Sequence, residues 1–104
     1  MLATTTHHGV EIPREAIAAF CQRNGIRRLS LFGSVLRDDF HPDSDIDVLV
    51  EFAPGRTPGL AFFGLQEELS QLLGRQVDLN TLGFLSDDFR DEVLREAEVH
   101  YDAG

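Results

Sequence analysis

The stretch LFGSVLRDDFHPDSDIDVLVEF, Leu31 to Phe52, places Asp45 and Asp47 at alternate positions of an otherwise apolar run, a fixed distance after the turn Gly33-Ser34. In a strand, alternation sends Asp45, Asp47, Leu49 and Glu51 to one face and Ile46, Val48, Val50 and Phe52 to the other. The second set reads as a core face. On the first, two neighbouring carboxylates repel each other unless a cation sits between them, so the pattern points to a metal site. Gly33 lets backbone approach a phosphate closely. Ser34 offers a hydroxyl and the start of a short helix reaching to about Asp38, both suited to an anion.

Outward from this stretch, the elements follow by period and punctuation. On the N-terminal side IPREAIAAFCQRNG is predicted to be a helix, with Pro13 in its first turn, Ile17, Phe20 and Cys21 on one face, and Asn24-Gly25 as its stop. Ile26 to Phe32 supplies a short strand. On the C-terminal side Ala53 to Gly59 is a loop in which Thr57-Pro58 caps the next helix, and Phe62, Leu65, Leu69, Leu72 and Leu73 recur at helical spacing until Gly74. RQVDLNT, Arg75 to Thr81, is a third strand with Val77 and Leu79 pointing one way and Asp78 the other. Ser86, followed by Asp87 and Asp88, opens a last helix carrying Phe89, Val93, Leu94 and Ala97. The expected order is helix, strand, short helix, strand, helix, strand, helix. It implies an α/β (α+β) domain over residues 11–104 after a flexible N-terminus at 1–10.

A length of 104 residues suits one domain with one modest core. The formal net charge of -9 opposes non-specific attraction to nucleic acid or to an anionic membrane, and favours a basic partner or a cation-mediated substrate. The single cysteine, Cys21, forms neither an intramolecular disulfide nor a zinc cluster, so a reducing cytoplasm is the expected compartment. No apolar run approaches the ~20 residues of a membrane helix, and the N-terminus lacks the order of a signal peptide.

Mg²⁺ takes a few carboxylates and completes its shell with phosphate and water, a set that Asp45, Asp47 and a third aspartate from a neighbouring strand would offer. Asp78 is the candidate of that kind. Gly33-Ser34, ten intervening residues and then Asp45-x-Asp47 resemble the signature of the DNA polymerase β-like nucleotidyltransferase superfamily, and its minimal nucleotidyltransferase (MNT) branch especially. The later GRQVDLNT resembles that branch's third-carboxylate strand. The resemblance implies a small mixed sheet of about three strands packed with helices. It implies two Mg²⁺ ions held by Asp45, Asp47 and Asp78, with ATP as substrate, the β- and γ-phosphates on Gly33 and Ser34, and Arg37 on phosphate or bracing the acidic loop. It also implies a role as antitoxin to a HEPN-type ribonuclease toxin, by transfer of AMP to a toxin tyrosine.

Blander readings stand beside these. Asp45 and Asp47 alone would suit the solvated face of an edge strand, and Arg37 would serve equally in a surface ion pair. Arg56 reads as a solvated loop residue, His7-His8 as an inert pair on a frayed terminus, and His41 and His100 as isolated. Asp38, Asp39 and Asp43 read as surface charge, and Cys21 as packing. Two other functions stay open: masking of a toxin by stable binding, and transfer to a small molecule of aminoglycoside type, for which a homo-oligomer would have to build the acceptor pocket. A template-directed polymerase is the least favoured reading, because nothing in the sequence supplies a basic nucleic-acid channel.

Overall fold

The computed structural model describes residues 4–7, 10–37, 40–41 and 43–103. Asp38, Asp39 and His8, read above as surface or inert, lie outside the described residues. The chain forms β1 (Thr4–His7), β2 (Val10–Pro13), α1 (Arg14–Asn24), β3 (Ile26–Phe32), β4 (Ile46–Phe52), α2 (Phe62–Leu73), β5 (Val77–Asn80), α3 (Asp87–Glu96) and β6 (Glu98–Asp102). Single 3-10 turns occupy Gly33–Leu36, Gly59–Ala61 and Leu82–Phe84.

Four strands, one more than expected, make the main sheet in the order β5-β4-β3-β6. β4 and β5 run parallel, while β3 is antiparallel to both β4 and β6. A parallel pair needs a crossover, and α2 supplies it. The added strand is β6, which follows α3 where the expected order ended in a helix. Its residues are half-exposed or exposed and its ends are Glu98 and Asp102, the charged character of a protected sheet edge and not of a core strand. Arg28 ties it in, bonding Asp102 and Glu51 at 3.3 Å each. β1 and β2 pair antiparallel as a separate two-stranded sheet, and Pro13 ends β2 as it caps α1.

One face of the sheet packs Leu29, Leu31, Ile46, Val48 and Val50 against Ile17, Phe20 and Cys21 of α1 and Leu65, Leu69 and Leu73 of α2. Gly25 and Gly74 end those two helices in the left-handed conformation, as the sequence predicts. The opposite face, read as the one where chemistry could sit, also carries packing: Leu85 and, from α3, Val93 pack on Phe32 and Leu49. Phe89 and Leu94, read with Val93 and Ala97 as the apolar residues of α3, are each 45% exposed. The part of this face left uncovered lies at the start of β4. Among the described residues no helix is long and apolar enough to cross a membrane.

Candidate active site

Asp47 is the hub of the uncovered end. In the β4–β5 ladder it sits directly opposite Asp78, and in the β3–β4 ladder opposite Phe32, the residue before Gly33. Matched register in parallel strands puts side chains on the same face, so Asp47 and Asp78 emerge side by side. Asp45 stands just outside β4, whose ladder begins at Ile46, and is exposed.

The three carboxylates feel one another. Asp47 is half-buried, and its pKa is pushed up to about 6 by burial first, then by the charges of Asp78 and Asp45, with Arg37 acting in the opposite sense. Arg37 also pairs with Glu96 near the end of α3, at 3.7 Å. It therefore lies within the field of Asp47 while bracing α3. The acidic side chains do not close into a tight cage: among the described residues no three His, Cys, Asp or Glu side chains converge enough to hold an ion by themselves. Asp45 and Asp78 are both exposed, which leaves like charges room to stand apart. An open set of oxygen donors suits Mg²⁺, which keeps several waters and takes phosphate oxygens alongside a few carboxylates.

Gly33 serves a purpose that its sequence reading omitted. Its φ is +78°, and a Cβ built on it would collide with a carboxylate oxygen of Asp47. The missing side chain therefore lets Asp47 lie against the backbone of the turn, and it brings Gly33 and Ser34 beside the acidic cluster. Ser34 is half-buried, and its carbonyl accepts from Arg37 N–H at 2.9 Å, closing the 3-10 turn.

Side chains with no chemical signature hold these residues. The N–H groups of Val77 and Leu79, flanking Asp78, donate to Ser70 Oγ at 3.0 Å and Gln66 Oε1 at 2.9 Å, so α2 seals the outer edge of β5. Arg75 donates to the carbonyls of His41 and Ser44 in the loop before Asp45. Neither role was visible in the sequence, because both depend on which elements become neighbours. Arg56 stays apart from the acidic cluster, with its side chain against Gly25 beyond the far end of β4. His100 is not isolated as expected: its Nε2 lies 2.7 Å from Glu98 Oε1.

The chain is similar to several known proteins. A family model described as a nucleotidyltransferase domain matches residues 13–100. The protein adenylyltransferase MntA of Thermococcus cleftensis is 41% identical over 76 residues, which cover 72% of this chain and 75% of that one. A solved minimal nucleotidyltransferase is 44% identical, with a TM-score of 0.68 over 81% of this chain and 85% of its own. A crystal structure of a toxin–antitoxin pair with AMP-PNP is 25% identical, with a TM-score of 0.70 over 86% of this chain and 73% of its own. With a matching domain that runs from the end of β2 into β6, the chain belongs to the nucleotidyltransferase family.

Proposed function

We propose that this nucleotidyltransferase is the antitoxin of a toxin–antitoxin pair and transfers AMP from ATP to a tyrosine hydroxyl of a HEPN-type ribonuclease toxin. The observation that carries the reading is the pairing of Asp47 with Asp78 across β4 and β5, beside a Gly33-Ser34 turn on which Asp47 rests. Asp45, Asp47 and Asp78 would hold two Mg²⁺ ions. When bound, such ions lower the pKa of an attacking hydroxyl and neutralise charge on the phosphates. Gly33 and Ser34 receive the β- and γ-phosphates, and Arg37 adds positive charge beside them. The acceptor oxygen forms a bond to the α-phosphorus as the bond to the bridging oxygen breaks. Pyrophosphate leaves, and the tyrosine proton passes toward Asp78. The acidic chain suits a basic partner. A single free, buried cysteine suits a reducing cytoplasm, with the Cys21 thiol pushed up to about 12 by burial.

Neutralisation by stable binding is a second reading, favoured by two exposed apolar side chains, Leu60 in the 3-10 turn before α2 and Phe63 in the first turn of α2, 88% and 69% exposed. Intact-mass measurement of the toxin after incubation with this protein, ATP and Mg²⁺ separates the two. Adenylylation predicts a gain of one or more AMP units that Asp47→Asn abolishes. An unmodified toxin that stays neutralised, by wild type and by Asp47→Asn alike, supports masking.

A further inference from the structure

The loop that leads into Asp45 is gripped by a side chain from the segment that leads into Asp78. Because Asp45 precedes the first ladder residue of β4, its place is set by the peptide before it more than by the sheet. His41 and Ser44 bond each other twice: His41 N–H donates to Ser44 Oγ at 3.0 Å, and Ser44 N–H to His41 O at 2.9 Å. Arg75 lays its guanidinium on this turn. Nη2 donates to Ser44 O at 2.8 Å and to His41 O at 3.2 Å, while Cζ sits 4.8 Å from the centre of the Phe40 ring. Ser44 O belongs to the peptide plane that ends at the nitrogen of Asp45, so the shorter bond fixes the plane from which Asp45 departs. One residue on, Gln76 O accepts from Ile46 N–H at 2.9 Å, joining the same two segments a second time.

We infer that Arg75 is a positioning residue that sets the separation of Asp45 from Asp47 and Asp78, and with it the affinity of the acidic cluster for a divalent cation. The inference rests on the metal-dependent reading of the site given above. A guanidinium suits the task because its rigid, delocalised plane lets one nitrogen donate to two carbonyls while its carbon lies over the Phe40 ring, a geometry that a flexible, strongly hydrated ammonium holds less well. Groups that orient metal-binding side chains without touching the metal are worth about 10- to 100-fold in affinity or activity.

Titration of the full chain with Mn²⁺ in the presence of a non-hydrolysable ATP analogue, followed by electron paramagnetic resonance and read against Mn²⁺ and the analogue without protein, tests it, with hydrogen exchange at residues 43–47 as a second readout. Arg75→Ala is expected to weaken Mn²⁺ binding by about 10-fold or more and to speed exchange in the loop. Arg75→Lys should recover less than half of that loss on a logarithmic scale. Phe40→Leu should weaken binding by less, and the double substitution by less than the product of the two factors, as expected for partners in one contact. If Arg75→Ala does not fold, the Lys and Phe40→Leu variants read the same quantity. Unchanged Mn²⁺ affinity in Arg75→Ala, or full recovery with lysine, overturns the role of Arg75. Wild-type protein that binds no Mn²⁺, or binds it equally well after Asp47→Asn, defeats the metal-site reading itself.

Discussion

Replacing Asp47 with asparagine should stabilise the metal-free protein while removing its activity. The folded-state pKa is about 6 against an ordinary value of 3.8, so ionising Asp47 costs folding free energy. Below about pH 4 the group is protonated whether the chain is folded or not, and there is no penalty. Between about pH 4 and pH 6 the unfolded chain ionises first and stability falls; above pH 6 the full penalty stands. A shift of that size corresponds to about 3 kcal/mol at most, and solvent around a half-buried carboxylate reduces it to about 1–2 kcal/mol. For a domain of this size that is a gain of about 5–10 °C in melting temperature. Thermal melts in EDTA, followed by circular dichroism, should show Asp47→Asn melting higher than wild type at pH 7.5 and the two coinciding near pH 4. A variant that is neutral or less stable at pH 7.5, or whose advantage is the same at both pH values, would refute the electrostatic reasoning.

Gly33→Ala should be damaging twice over, since alanine is strained at φ +78° and its Cβ meets the Asp47 carboxylate; denaturant titration should give a loss of about 1–3 kcal/mol, with nucleotidyl transfer lost as well. Arg37→Gln removes the cation that opposes the raised pKa of Asp47, so the carboxyl resonance of Asp47 should titrate at higher pH; an unmoved midpoint would contradict the placement. Leu69→Ala empties a fully buried position of α2 and should cost about 2–5 kcal/mol, measured the same way.

The parts of the fold that the sequence disclosed are those governed by local rules. Period and glycine caps located α1, β3, β4, α2 and β5, and the alternation in β4 assigned Asp47 and Val48 to opposite faces. β6 escaped because a charged edge strand carries neither strict alternation nor an apolar run, and the β1–β2 pair because its opening threonines read as polar tail. Residues of the site were nameable because Gly-Ser and Asp-x-Asp lie close along the chain. Their geometry was not: the contact of Asp47 with Gly33, the hold of Ser70 and Gln66 on β5, and the grip of Arg75 on Phe40, His41 and Ser44 all join segments distant in sequence. Single side chains such as Gln66 and Arg75 look like ordinary surface residues until the elements around them are packed.

A crystal structure of the chain with Mn²⁺ and a non-hydrolysable ATP analogue tests the central claim most directly. Anomalous density for the metal should stand between the carboxylates of Asp45 and Asp47, with Asp78 turned toward it and the triphosphate resting on Gly33 and Ser34. Nucleotide bound elsewhere on the chain, or metal that bypasses Asp47, would contradict it.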